Sequence, residues 1–166
     1  MINNNEKGAA LLRIVEVIGQ DELERIDDET ISFIISTLNQ LNIDIIRNKI
    51  LVIDVSTKDE KKNPMSFINP VIKKFSDETS TYEEGCLSIP ETFIEIERPK
   101  TCEVEYIEIN GDQKILKCNG LLSTCLQHEI NHLDGKLIID YLSKLKRDLI
   151  IKKISKSKKN LSRIIV

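Results

Sequence analysis

No apolar run in this 166-residue sequence approaches the roughly 20 residues that a membrane-spanning helix needs. The N-terminus, MINNNEKGAALLRIVEVIG, also lacks the basic segment, apolar core and small-residue cleavage site of a secretory signal. Nothing around the four cysteines indicates an oxidising compartment, so we interpret them as thiols or metal ligands. These absences predict a soluble protein without a membrane partner, located in the cytoplasm or, for a eukaryotic source, in an organelle.

The sequence contains no internal repeat and no flexible linker, and its 40% of apolar residues are enough to bury one core. We therefore expect residues 1–166 to form a single domain. The formal charge of -3 says nothing about nucleic acid, and no DNA partner is predicted. Nine Lys and Arg against one Asp from Lys144 onwards give +8, which leaves -11 for residues 1–143. The basic charge is thus concentrated in the C-terminal tail.

Turn residues and β-branched runs predict strands in the middle of the chain. Residues 49–55 indicate a short strand, and a second strand is expected over residues 67–74 after a polar loop. Three further β-rich runs lie within residues 92–117, and the last two are separated by Asn110-Gly111, a step typical of a hairpin. This part of the chain is predicted to form an antiparallel sheet.

Three segments carry apolar residues at the spacing of an amphipathic helix. The first covers residues 25–42, the second follows Gly120 and ends at Gly135, and the third begins at Tyr141 as a basic C-terminal helix over 141–166. Their apolar positions are, in chain order, Ile31, Ile34, Ile35, Leu38 and Leu41, then Leu122, Cys125, Leu126, Ile130 and Leu133, then Leu142, Leu145, Leu149 and Ile154. The sequence therefore predicts an α+β fold, with antiparallel β-sheets around a central helix and a further helix at each end.

The only two histidines of the chain lie four residues apart, in the segment His128-Glu129-Ile130-Asn131-His132. On an α-helix this spacing places both imidazoles on one face, one turn apart, where they can bind a single divalent ion. Glu129 then flanks the ion as the acid-base group. The alternative interpretation is a pair of polar residues on a helix surface, but chance explains an H-E-x-x-H pattern poorly in a chain with two histidines.

A catalytic site of this kind needs a third protein ligand and an open position for water. Cys86 is the predicted third ligand, because Gly85 before it permits a close backbone approach and Pro90 after it limits strand pairing. From local sequence alone, a buried apolar side chain remains an open interpretation of this cysteine. That interpretation is kept for the other three cysteines, Cys102, Cys118 and Cys125.

Residues 84–88, EGCLS, and residues 127–135, QHEINHLDG, resemble the second and third signature motifs of bacterial peptide deformylases. The similarity extends in the same order over about residues 45–150. It implies a mononuclear metallohydrolase that removes the formyl group from the N-terminal methionine of new polypeptides, with Cys86, His128 and His132 as ligands. The family usually holds Fe(II), which is therefore the expected native ion, although a thiolate with two imidazoles also accepts zinc, nickel or cobalt.

The resemblance also implies roles for residues around the ion. Glu129 is expected to take a proton from the attacking water and to return it to the leaving amine. The backbone N–H of Leu87 is expected to donate to the formyl oxygen. Cys125 is expected beside the pocket for the methionine side chain, and Glu84 and Gly85 are expected to offer backbone groups to the substrate peptide.

The first signature motif of the family, a glycine-rich G-x-G-x-A-A-x-Q, is absent. Residues 35–44, ISTLNQLNID, stand in its place and contain no glycine. Gln40 or Asn42 is either a replacement for the lost glutamine amide or a polar residue at a helix end. Phe93 stands where the family often carries an arginine that contacts substrate. A second interpretation therefore stays open: a metal-binding homologue that is catalytically weak or inactive, or that has an altered substrate specificity.

Two other functions fit the sequence less well than deformylation. A metalloprotease is expected to take its third ligand, His or Glu, from downstream of the helix, and no histidine remains there. A structural zinc site needs four closed ligands and has no use for a general-base glutamate. Both therefore rank below the deformylase interpretation.

The basic C-terminal tail has two interpretations. It is either a solvated helix face whose leucines pack on the domain, or a surface that binds ribosomal RNA phosphates. The resemblance suggests the second, because the C-terminal helix of deformylases is associated with docking on the ribosome, and both interpretations stay open. The ribosome is thus an expected partner besides N-formylmethionyl peptides.

Overall fold

Strands dominate the middle of the chain and helices its C-terminal third, as hydrophobic spacing predicts. A computed structural model describes residues 48–57, 60–86 and 88–164, apart from the side chains of Pro90 and of residues 157–164, and also Glu29, Ser32, Phe33, Ser36 and Thr37. The elements are β1 (Ile50–Ile53), β2 (Met65–Phe75), β3 (Thr79–Cys86), β4 (Ile89–Pro99), β5 (Thr101–Ile107), β6 (Gln113–Asn119), α1 (Gly120–Leu133), a 3-10 turn (Ile138–Tyr141) and α2 (Lys144–Ile164). The predicted α+β class is confirmed.

Four strands form one antiparallel sheet in the order β1-β2-β5-β6. All four residues of β1 are buried, which explains its unbroken run of β-branched and leucine side chains. The hairpin between β5 and β6 turns at Gly111, which has a φ of 91° and therefore suits a residue without a Cβ. The strands predicted at 49–55, at 67–74 and on either side of Asn110-Gly111 are thus confirmed.

The strands β3 and β4 form a second, two-stranded antiparallel sheet. The strand β3 is not predicted from the sequence, because its residues, TSTYEEGC, are too polar to indicate a strand by hydrophobicity. Burial nevertheless alternates along it, and Glu84 and Cys86 both point inward. Two residues that the site requires therefore project from the same face of one strand.

Helix α1 follows the last strand directly and packs on both sheets. Gly120, with a φ of 54°, allows the chain to turn into the helix, and Gly135, with a φ of 79°, ends it by donating its N–H to the carbonyl of His132 at 3.0 Å. Leu126 is fully buried against the four-stranded sheet, where Cys125 and Ile130 accompany it. The predicted central helix and its apolar face are confirmed.

The C-terminal helix differs from the prediction in its start and in its packed face. It begins at Lys144 rather than Tyr141, because residues 138–141 form a 3-10 turn in which Leu137 N–H donates to an oxygen of Asp140 at 2.8 Å. The predicted packing of Leu145 and Leu149 is wrong, since they are 73% and 58% exposed. Leu142 precedes the helix, so its spacing to these leucines does not define a helical face. A second buried cluster consists of Cys86, Ile89, Ile94, Ile96, Ile138 and Ile139, and the apolar side chains that pack on it are those of Leu137, Leu142, Ile150 and Ile154.

The described residues within the predicted N-terminal helix are helical. The Thr37 hydroxyl donates to the carbonyl of Phe33, four residues earlier, at 2.9 Å. The predicted apolar face of this helix lies outside the described residues, as do Gln40 and Asn42. Within the described part of the chain, no helix is both long and apolar enough to cross a membrane.

Candidate metal centre

The two histidines of α1 face each other across one turn of the helix. Their Nε2 atoms lie 2.9 Å apart, and the two rings meet at 89°. Both remaining ring nitrogens have partners: Nδ1 of His128 is 2.8 Å from Oε2 of Glu84, and Nδ1 of His132 is 2.9 Å from the carbonyl oxygen of Lys136. Each imidazole is therefore fixed in orientation from behind.

These partners also determine which ring nitrogens are free to bind an ion. A carbonyl oxygen can only accept a hydrogen bond, so Nδ1 of His132 carries the hydrogen and Nε2 presents a lone pair. The ionised carboxylate of Glu84 likewise accepts a hydrogen from Nδ1 of His128, so Nε2 of His128 also presents a lone pair. Two lone pairs directed at each other over 2.9 Å are favourable when a cation lies between them.

Cys86 completes this group from the end of β3. A bulge interrupts the pairing of β3 with β4, because Gly85 is opposite Phe93 whereas Cys86 is opposite Ile89. Bulges of this kind re-aim a side chain, and here the Cys86 sulfur lies 3.2 Å from Nε2 of His132. Burial opposes ionisation of the thiol, but the neighbouring His128 ring and the contacts with Ser88 outweigh it, and the pKa of Cys86 lies below its ordinary value.

The three donor atoms fit one transition-metal ion. The ligand atoms of Cys86, His128 and His132 all lie within 4.8 Å of one another. Ligands at 2.0 to 2.3 Å around a tetrahedral ion are about 3.3 to 3.7 Å apart, which is close to the 2.9 and 3.2 Å contacts of this group. One sulfur and two nitrogen donors suit zinc or iron rather than magnesium or calcium, which take oxygen ligands.

Glu129 lies beside the donors as a buried carboxyl group. It is 3% exposed, and its Oε2 is the buried side-chain polar atom without a hydrogen-bond partner among the described residues. Its Oε1 is 3.9 Å from Nε2 of His128. Burial, reinforced by the negative charges of Cys86 and Glu84, raises the pKa of Glu129 to about 8 against the opposing effect of His132. This carboxyl can therefore both accept and give up a proton near neutrality.

A buried ion pair behind His128 was missed by the sequence analysis. Arg98 on β4 donates from Nε to Oε1 of Glu84 at 2.5 Å and from Nη2 to Oε2 at 2.9 Å. Burial opposes the charge on Glu84, but the hydrogen bonds from Arg98 and His128 outweigh it, and the pKa of Glu84 is lowered. The available signal was the alternation Ile94, Ile96, Arg98, which places an arginine on an apolar face where it needs a carboxylate.

The remaining predicted site residues lie around this group, with one exception. Cys125 is buried one turn before Glu129, and burial raises the pKa of its thiol far above the ordinary value. Phe93 is 63% exposed and packs its ring on Gly85, where an added Cβ would come within 2.9 Å of the ring. Leu87, whose backbone N–H was the predicted donor to the formyl oxygen, lies outside the described residues.

All four cysteines are free thiols, and Cys102 and Cys118 lie in the apolar core as predicted.

The sequence was also compared with known families. The sequence model described as polypeptide deformylase matches residues 39–148. The chain belongs to this family. Its members are metalloenzymes, and the group formed by Cys86, His128 and His132 can hold a metal ion. The suspected resemblance is thus confirmed, and the match begins within the segment 35–44 that stands in place of the glycine-rich first motif.

Named relatives agree with this assignment. A peptide deformylase of Pelagibacter ubique is 60% identical over 118 residues, which are 71% of this chain and 67% of the relative. One of Agrobacterium fabrum is 55% identical over 109 residues, 66% of this chain and 64% of the relative. The crystal structure of the Ehrlichia chaffeensis peptide deformylase in complex with actinonin is 33% identical, with a TM-score of 0.63 over 89% of this chain and 92% of the other. In sequence, the chain thus spans about two thirds of the length of these curated relatives.

Proposed function

We propose that this protein is a metal-dependent amide hydrolase that removes the formyl group from the N-terminal methionine of new polypeptides. One observation carries the proposal: three convergent metal donors lie beside a buried carboxyl group whose Oε2 has no partner among the described residues. A structural metal site needs four closed ligands and gains nothing from such a carboxyl group. Membership of the polypeptide deformylase family supplies the substrate class.

Cys86, His128 and His132 are the proposed ligands, and Fe(II) is the proposed native ion, with zinc, nickel and cobalt as alternatives. A divalent ion bound there supplies Lewis acidity, which lowers the pKa of water and polarises the formyl carbonyl. The protein's contribution is to hold both imidazoles by their Nδ1 atoms, through Glu84 and the carbonyl of Lys136. These contacts keep the donor lone pairs aimed at one point before the ion arrives.

Glu129 is the proposed proton carrier. Its carboxylate takes a proton from water as the oxygen attacks the formyl carbon, and passes that proton to the amide nitrogen as the C–N bond breaks. Formate and a free N-terminal amine result. Burial raises the pKa of Glu129 above its ordinary value, which makes the carboxylate a stronger base than one in water.

The substrate contacts remain proposals carried by the family resemblance. The backbone N–H of Leu87 is proposed to stabilise negative charge on the formyl oxygen. Gly85 and Glu84 are proposed to bind the peptide backbone, and Cys125 to line the pocket for the methionine side chain. The buried position of Cys125 beside Glu129 supports the last of these roles.

The proposal is tested with formyl-Met-Ala-Ser and protein loaded with Fe(II) or Ni(II), by measuring released amine. Glu129→Gln keeps the shape of the side chain but cannot accept a proton, and should lower turnover at least about 100-fold. Glu83→Gln is the matched control, because Glu83 is exposed on the opposite face of β3. An inactive wild-type protein that still binds one metal ion per chain would overturn the enzymatic proposal.

The second candidate is a homologue that binds metal but is catalytically weak. The absent first motif favours it, since residues 35–44 contain no glycine and the family match begins only at residue 39. Loss of one donor to the developing oxyanion typically costs about 100- to 1000-fold in rate. Metal-dependent binding of actinonin without turnover of any formylated peptide would favour this candidate.

The proposed cellular setting is the cytoplasm, with the ribosome as a partner of the basic helix α2. This helix packs Ile150 and Ile154 on the domain, and its lysines supply the positive charge for phosphate contacts. Ribosome affinity should fall steeply with salt concentration and should weaken when Lys152, Lys153, Lys158 and Lys159 are neutralised together. Binding that does not depend on salt would argue against this partner.

A further inference from the structure

A set of polar contacts extends from the protein surface to the back of His128. At its outer end, the Tyr141 hydroxyl donates to Oδ1 of Asn131 at 2.6 Å and accepts from Nη1 of Arg98 at 3.1 Å. The Tyr141 ring also covers the guanidinium, whose carbon is 4.9 Å from the ring centre. Tyr141 is 47% exposed, whereas Arg98 beneath it is 4% exposed.

The guanidinium of Arg98 is held at both ends. Its Nη1 donates to Oδ1 of Asn131 at 2.9 Å as well as to Tyr141, while Nε and Nη2 form the paired contacts with Glu84. Asn131 lies on α1 between the two histidines, so the arginine connects the metal-binding helix with β3. A planar group fixed on both sides cannot rotate without breaking hydrogen bonds.

We propose that Tyr141 is a positioning residue of the metal centre. Through Arg98 and Glu84, it fixes the orientation of the His128 imidazole and thereby the affinity and geometry of the ion site. The inference rests on the metal site of the proposed function, but not on the substrate or on turnover. Tyr141 itself touches none of the proposed ligands.

The expected sensitivity follows from the geometry of these contacts. Oε2 of Glu84 is shared between Nη2 of Arg98 and Nδ1 of His128, so a shift of the guanidinium moves the atom that orients the ring. Loss of the partners that orient metal ligands commonly weakens metal binding about 10- to 100-fold. Because Tyr141 acts through two intermediate residues, a loss near tenfold is expected when its hydroxyl is removed.

The test compares Tyr141→Phe with Tyr82→Phe in the 166-residue chain. Both changes remove one hydroxyl, but Tyr82 lies on β3 outside this set of contacts. The Zn(II) dissociation constant is measured by competition with a chelating dye, and the visible spectrum is recorded with Co(II), whose absorption reports ligand geometry. Tyr141→Phe should weaken Zn(II) binding about tenfold and shift the Co(II) bands, whereas Tyr82→Phe should change neither.

Two variants of Asn131 test the same contact from the helix side. Asn131→Leu removes the shared acceptor and should reproduce the effect of Tyr141→Phe, while Asn131→Asp keeps an acceptor oxygen and should retain tighter binding than Asn131→Leu. Wild-type Zn(II) affinity with an unshifted Co(II) spectrum in Tyr141→Phe would overturn the inference, as would an equal loss in Tyr82→Phe. Failure of formyl-Met-Ala-Ser turnover alone would overturn the proposed function and leave this result standing.

Discussion

The two sides of helix α1 bury different kinds of side chain, apolar on one side and polar on the other. Toward the four-stranded sheet, Leu126 and Ile130 join a core composed of apolar side chains and thiols. Toward the two-stranded sheet, the same helix buries His128 against Glu84, which is paired with Arg98, and Glu129 is buried beside His128. One helix thus separates a region held by apolar packing from a region held by specific polar partners.

The difference between the two sides lies in what each tolerates. When an apolar side chain is shortened, the loss of stability grows with the volume of the cavity that remains. Another apolar side chain of similar shape can fill that space. A buried polar group instead requires its particular partner, since an unpaired charge is far more costly than a small cavity. We therefore expect substitutions on the side of α1 that faces the four-stranded sheet to change stability alone. Substitutions on the side that carries the metal site should change stability together with metal binding.

Arg98→Met should have the largest effect on stability. It leaves the carboxylate of Glu84 buried beside His128 without its cation, which should lower the free energy of unfolding by about 3 to 5 kcal/mol. Urea unfolding of the metal-free protein measures this loss. Lys100→Met is the control, because Lys100 pairs with Glu78 on the surface and should cost less than about 1 kcal/mol. Equal losses in the two variants would remove the contrast between buried and exposed pairs.

Metal binding should stabilise the fold by a similar amount. Zn(II) at about a thousand times its dissociation constant should raise the free energy of unfolding by about 4 kcal/mol, because the ion binds the folded state. The increase should be preserved in a variant of the apolar side and reduced in Arg98→Met at the same Zn(II) concentration. Thermal unfolding at increasing Zn(II) concentrations measures this stabilisation. A midpoint temperature that does not change with Zn(II) concentration would contradict a metal site formed by the folded chain.

Leu126→Ala probes the apolar side. Leu126 is fully buried, so the substitution leaves a cavity and should cost about 3 kcal/mol. Unlike Arg98→Met, it should leave the Zn(II) dissociation constant within about twofold of wild type when both proteins are folded. A large loss of Zn(II) affinity would mean that apolar packing also positions the ligands, and the two sides would no longer be independent.

The same division explains how much the sequence could predict. His128, Glu129 and His132 are predictable because their geometry is local, set by one helical turn. The strands of the four-stranded sheet follow from β-branched runs and from the turn at Asn110-Gly111. The neighbouring glycine and the family resemblance pointed to Cys86, but no local spacing rule does so. Cys86 and His132 are 46 residues apart in the sequence, and only the fold brings them together.

The remaining features depend on contacts between distant segments. Arg98 and Glu84 are 14 residues apart, and Glu84 and His128 are 44 apart, so no local pattern pairs them. The polar strand β3 forms through its pairing with β4. The predicted packing of Leu145 and Leu149 on the domain was wrong, because the 3-10 turn before α2 changes the phase of the apolar spacing. Long-range pairing, rather than propensity, therefore accounts for the features that were missed.

Gly85→Ala should have the smallest effect and tests the edge of the metal side. An added Cβ would lie 2.9 Å from the Phe93 ring, but that ring is 63% exposed and can move toward solvent. We expect a cost of about 1 kcal/mol, below that of Leu126→Ala, because an exposed side chain yields where a sealed core cannot. Urea unfolding of Gly85→Ala, Phe93→Ala and the double variant gives the coupling between the two positions. The cost should largely disappear in the Phe93→Ala background; if it persists unchanged, the backbone beside Cys86, and not the ring, requires the glycine.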